Sequence, residues 1–321
     1  MGTREQIINF FKSITLEPAL FLYMLSLGIY YVPSQSLYVD KVCQINFNYT
    51  FCDDLKNHPD EQIQVQKHVA AIQAYNTILQ NLPETIYLLL AGPWSDTNGR
   101  KAILIFSGCG YVVNNGVLMI NAYFFKQLKA EFLLFECLQD FMGGSNLFLM
   151  AAYAYISDVS AKDKRTKRFA MVDAISPLGW AGGAAIGGVL QKHFGYVVTF
   201  GIGAGTCFLG VLYIACRIKD SSTIREARVV SKQVDPDKHG CKAFFQIGHI
   251  KDGFKTLIQK RPGHQRLVLW LAMMIFLSQH GILVSNYVLI ILIIKVLHFD
   301  FYVFSMEEGQ LSIFTTEKPS T

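Results

Sequence analysis

Seven stretches of this chain are apolar over a bilayer's width, and that repetition limits what it can fold into. About 20 consecutive apolar residues cross a hydrocarbon core as a helix. In lipid every backbone N–H and C=O must be satisfied internally, so each run reads as a helix. The runs cover roughly 16–38, 68–92, 102–125, 131–156, 169–190, 196–218 and 267–296. The expectation is an all-α polytopic membrane protein. Composition agrees: 51% of residues are hydrophobic and 17% charged, where a soluble domain carries about 25% charged residues. The first run is too long for a cleavable signal and lacks a small-residue cleavage site, so it reads as a retained anchor.

The segments between the runs divide the chain. Residues 1–15 are polar, 39–67 form a polar loop, 219–266 a long polar linker rich in Lys and Arg, and 297–321 a polar tail. Glu17-Pro18 opens the first span, where proline suits a first helical turn. Pro33 near its far end can kink it. Asn48-Tyr49-Thr50 is a glycosylation acceptor if the 39–67 loop faces the lumen or the exterior. Cys43 and Cys52 flank it and make a candidate disulfide on an oxidising side. Glycines at 179, 183 and 187 repeat every fourth residue in the fifth span, a stripe that lets membrane helices pack closely.

Charge sets the orientation. With the N-terminus in the cytosol and alternating spans, 21 of the 29 Lys and Arg fall in cytosolic segments. That asymmetry is the positive-inside rule, and the same orientation places Asn48 outside.

Ionisable residues inside the spans are the candidate functional groups. Each costs about 2.5–3.5 kcal/mol on insertion scales, so it marks a water path or a partner. Glu84, Glu136, Asp140, Asp173 and His280 are the set. Glu136 and Asp140 sit four apart, on one face of an α-helix. Two ionised carboxylates there would repel, so at least one is protonated or paired. Glu84 follows Pro83 and reads as cavity lining or as a kink partner. The competing reading for Asp140 and His280 is an interhelical hydrogen bond, and for Asp173 a capping or snorkelling role. Tyr23, Tyr30 and Tyr31 read as packing. A protonatable acid plus a histidine lining one cavity is the minimum equipment for coupling proton entry to a solute.

Between the second and third runs lies Gly92-Pro93-Trp94-Ser95-Asp96-Thr97-Asn98-Gly99-Arg100-Lys101. Gly92 lets two helices approach closely, Asp96 can cap the next helix, Gly99 permits a tight turn, and Arg100 and Lys101 hold the loop in the cytosol. This G-x-x-x-D-x-x-G-R-K spacing resembles the signature loop of major facilitator superfamily transporters. Further stretches resemble the proton-coupled folate transporter family, solute carrier family 46. They are Glu17 to Tyr23, Trp94-Ser95-Asp96, Asp140 to Gly144, Tyr155 to Ser160, and Arg165 to Arg168. The likeness spans about 16–296.

The resemblance implies a six-helix N-terminal half of a major facilitator fold, the linker, and one span of the second half. It implies that the chain is a fragment, a truncated splice product or an incomplete gene model. By the same resemblance, Asp96 and Arg100 match a loop pair controlling conformational switching, and Asp140 matches a carboxylate needed for transport. Asp173 matches an acid linked to proton coupling, a glutamate in the folate carrier. His280 matches a histidine linked to proton and substrate binding. In the folate carrier an outer-loop cysteine pairs with one after span 7; here no cysteine follows Cys241, and Cys43–Cys52 is a substitute. The implied function is proton-coupled symport of an organic anion, folate-like or another polar metabolite, by alternating access. An N-inside seven-span chemoreceptor and a truncated, non-transporting isoform are the alternatives. Expected partners are a small polar or anionic solute, protons and membrane lipid, without nucleic acid. No cofactor, metal site or enzyme motif is expected, and the membrane is the plasma or endo-lysosomal one.

Overall fold

A computed structural model describes residues 15–47, 52, 55, 58–161 and 163–220, and within them the chain is helical, without a strand. Asn48, His280, the seventh span, nearly all of the linker and the tail lie outside the described residues. Helix α1 is Glu17–Lys41, α2 is Pro59–Asn98, α3 is Lys101–Tyr123, α4 is Gly144–Val159 and α5 is Arg165–Arg217.

Three boundaries differ from the sequence reading. The helix of the second span starts at Pro59 and runs to Asn98, so it takes in most of the signature loop. It is amphipathic: Val65, Val69, Ile72, Asn76, Glu84, Leu90 and Ala91 are buried, at helical spacing. Together with α1's continuation to Lys41 and a π-helical turn over Val42–Phe47, it occupies both ends of the 39–67 segment. The fourth span is not one helix. A 3₁₀ segment, Ala130–Met142, is followed by α4, and the break falls on Gly143 and Gly144, both at positive φ (99° and 65°). The fifth and sixth spans are the two arms of α5, divided at Gly195, whose φ of 75° and ψ of 177° are non-helical.

The tightest pairing joins α1 to the first arm of α5. A Cβ on Gly183 would lie 2.9 Å from the Cα of Gly28 and 2.9 Å from the backbone nitrogen of Ile29. Glycine on both sides brings backbone against backbone, as in small-residue membrane interfaces. Ser26 Oγ donates to the carbonyl of Gly203 at 2.7 Å and ties α1 to the second arm as well.

Outside this packing the surface is apolar. Leu178, Val189, Phe194, Phe208 and Leu209 on α5 are all more than half exposed. A soluble monomer rarely shows such a continuous apolar face; lipid is its solvent. By length and composition, Lys101–Tyr123 and Arg165–Arg217 are long and apolar enough to cross a membrane. The other spans carry the polar residues that build the site, and these dilute their apolar character.

Candidate functional site

Of the carboxylates expected inside the spans, Glu136 and Asp140 lie on the 3₁₀ segment, Glu84 on α2 and Asp173 on α5. An α-helix turns about 100° per residue, so residues four apart nearly eclipse. A 3₁₀-helix has about 3.0 residues per turn, so the same pair points about 120° apart. Glu136 and Asp140 therefore do not share a face, which corrects the sequence expectation. Both are buried, at 2% and 4% exposure.

Glu136 is held by neutral donors from two helices. Tyr38 Oη donates to Oε2 at 2.6 Å, Asn76 Nδ2 donates to the same oxygen at 3.2 Å, and Tyr30 Oη donates to Oε1. Asn76 Nδ2 also reaches Tyr38 Oη at 2.9 Å. Tyr30 is thus a ligand of Glu136 rather than mere packing. Tyr30 and Tyr38 stand eight apart, two turns along one face of α1, and that spacing was the available signal.

Asp140 faces Glu84 across Gly144. Glu84 Oε1 accepts from the backbone N–H of Asn146 at 2.9 Å, and its Oε2 accepts from Asn146 Nδ2 at 2.9 Å. Glu84 is therefore a bridge from α2 to the start of α4. A Cβ on Gly144 would lie 2.7 Å from Asp140 Oδ1 and closer still to Glu84 Oε1. Its positive φ and this crowding both require glycine. Ser107 Oγ on α3 donates to the Gly144 carbonyl at 2.5 Å and pins the break. Asp140 Oδ2 has no hydrogen-bond partner among the described residues.

Asp173 stands apart from these groups. It is exposed on α5 and accepts from Tyr153 Oη of α4 at 2.5 Å.

At the end of the bundle where α1 begins, the signature loop is fastened by its basic residues. Arg100 is buried; its Nε reaches Asp158 Oδ2 at 3.4 Å and its Nη1 donates to Ser95 Oγ. Lys101 Nζ donates to the Ala215 carbonyl in the last turn of α5 at 2.7 Å, where a cation meets the helix's negative pole. Gly99 makes the turn at φ 93°. Two expectations are corrected here. Asp96 lies within α2, and the residue before α3 is Arg100, whose side chain makes no cap hydrogen bond. A Cβ on Gly92 would meet nothing within 4 Å, so Gly92 is not a close-approach point among the described residues.

Charged contacts that pattern alone did not reveal lie at both ends. Arg168 pairs with the buried Glu17 at 2.6 Å, and also donates to Thr15 Oγ1 at 2.7 Å and Ser160 Oγ at 3.3 Å. At the opposite end Lys41, fully buried, donates to the side-chain and main-chain oxygens of Asn121 at 2.9 and 3.3 Å. Nearby, the sulfurs of Cys43 and Cys52 are bonded to each other.

Comparison with known proteins now bears on this arrangement. The chain is 30% identical over 140 residues to the MFS-type transporter avaJ of Aspergillus versicolor, covering 42% of this chain and 26% of that protein. It is 27% identical over 158 residues to the proton-coupled folate transporter of Rattus norvegicus, covering 47% and 34% respectively. It is 28% identical over 162 residues to the lysosomal proton-coupled steroid conjugate and bile acid symporter SLC46A3 of Bos taurus, covering 50% and 35%. The matched stretch is about a third or less of each relative's length. The Major Facilitator Superfamily model matches residues 64–314. With a helical bundle, lipid-facing apolar surfaces and buried intramembrane carboxylates already in view, that match settles the family: this chain belongs to the major facilitator superfamily and, within it, is similar to solute carrier family 46.

Proposed function

We propose that the chain belongs to a proton-coupled symporter that carries a small organic anion, folate-like or another polar metabolite, by alternating access. The observation that carries this reading is Asp140: buried in a membrane bundle, facing Glu84, with one carboxylate oxygen unpartnered. Such a group persists in a span because it does work there. The relatives' own names describe proton-coupled carriage of folate and of steroid conjugates and bile acids.

In this reading Asp140 takes the proton, and Glu84 couples its state to α4 through Asn146. Glu136 ties the 3₁₀ segment to α1 and α2, so protonation nearby is felt by three elements. Asp173 with Tyr153, and His280 in the seventh span, are further proton or solute positions. Arg100 on Asp158, with Gly92, Asp96, Gly99 and Lys101 around it, is the contact that breaks and reforms between inward- and outward-facing states. The N-terminus is cytosolic, Asn48 is glycosylated on the opposite side, and the Cys43–Cys52 bond faces the same oxidising side.

The test is uptake of radiolabelled folate and of a bile acid conjugate, by this chain and by any longer product of the same gene. Acid outside should raise uptake. Asp140→Asn should abolish that stimulation and His280→Ala should reduce it. Uptake indifferent to pH, with both variants matching the parent, overturns the reading.

A further inference from the structure

The turn between α2 and α3 carries Gly99, Arg100 and Lys101, and each meets a different part of the chain. Arg100 reaches Asp158 near the end of α4, and Lys101 reaches the Ala215 carbonyl near the end of α5. Gly99 meets Asp220, the third residue after α5. A Cβ on Gly99 would lie 2.7 Å from Asp220 Oδ2, and closer still to its Cγ and Oδ1. The Asp220 carboxylate therefore lies over the Cα of Gly99, in the space that a side chain at 99 would fill. Two residues before it, Ile218 is buried in the apolar core at 4% exposure, which holds this stretch against the bundle.

The place matters because Gly99 immediately precedes the start of α3. The first N–H groups of a helix have no partner along the helix, and they make that end a positive pole. The residue at the start of α3, Arg100, makes no side-chain cap hydrogen bond. Asp96, the acid expected there, lies within α2. Asp220, distant in sequence, is the acid that the fold brings to this pole.

We infer that Asp220 supplies the negative charge at the N-terminal pole of α3 and latches the root of the linker to the signature turn. The turn cannot move off the end of α5 without parting from both the Ala215 carbonyl and this carboxylate. Asp220 thus joins Arg100 and Lys101 among the groups that hold the turn in place. Its use as part of a switch rests on the transport reading; the contact itself does not.

Hydrogen–deuterium exchange of the purified 321-residue chain in detergent reads the contact without any uptake. The amides to follow are Leu104, Ile105 and Phe106, where the hydrogen bonds of α3 begin. In Asp220→Ala they should exchange about fivefold faster, the size of effect a charge gives at a helix pole. Asp220→Asn keeps the shape and removes the charge, so it should match Asp220→Ala. Salt should narrow the gap between parent and both variants, because this attraction is screened. Asp60→Ala removes an exposed acid in the first turn of α2 and should exchange like the parent over 104–106. Parent-like exchange in Asp220→Ala would overturn the proposal. So would an Asp220→Asn that behaves like the parent, since the charge would then be idle. Faster exchange spread equally over α1 would mark a general loosening and would also overturn it. Uptake indifferent to pH, with these exchange results in place, sinks the transport reading and leaves the latch standing.

Discussion

Removing Arg168 strands Glu17, a carboxylate only 3% exposed, at the start of α1. Breaking one side of a buried ion pair costs about 3–5 kcal/mol, mostly from the charge left behind. Arg168→Gln should therefore lower the melting midpoint sharply in detergent, and the double variant Glu17→Gln, Arg168→Gln should recover most of the loss. A double variant no better than the single one would show that the pair's charges are not what matters. Tyr38→Phe removes one of three donors to Glu136 and should cost about 1–3 kcal/mol in the same assay. The sequence showed that these charges lie in or beside spans and that lipid would not tolerate them alone. It did not show which partners they take, because Glu17 and Arg168 are 151 positions apart and meet only through the packing of α1 on α5.

At the scale of elements, glycine placement separates contacts that matter from sites that only look alike. Gly183 and Gly188 both lie in the first arm of α5. A Cβ at 183 would overlap α1's backbone, whereas one at 188 would meet nothing within 4 Å. Overpacking a tight interface costs about 1–3 kcal/mol. Gly183→Ala should reduce the yield of folded protein and its melting midpoint, while Gly188→Ala should leave both near the parent; equal effects would contradict the observed α1–α5 approach. The 179, 183, 187 repeat was legible as a packing stripe, and a small-residue period marks a close partner. The break in the fourth span was not legible. The sequence reading takes 131–156 as one span because the apolar run passes through Gly143-Gly144 without interruption. Burial of Glu136 and Asp140 on different sides of a 3₁₀ segment is a tertiary outcome.

For the whole molecule, orientation in the bilayer fixes which groups each compartment can reach. With a cytosolic N-terminus, Asn48 faces out and Cys216, exposed in the last turn of α5, faces in. Expression in cells should yield a species whose mobility shifts on endoglycosidase treatment and no longer shifts in Asn48→Gln. A membrane-impermeant thiol reagent should label Cys216 in permeabilised cells and not in intact ones. The opposite labelling pattern would invert the topology.

What the chain's amino acids determined alone was its class: runs of apolar residues a bilayer long can only be helices. The family likeness was legible too, since the signature loop is short and local. Which carboxylate accepts from tyrosines, which faces another carboxylate, and which arginine meets which acid was decided by the folded bundle. Side chains reach only a few ångströms, and the helices that bring these groups within reach are joined through packing rather than through sequence.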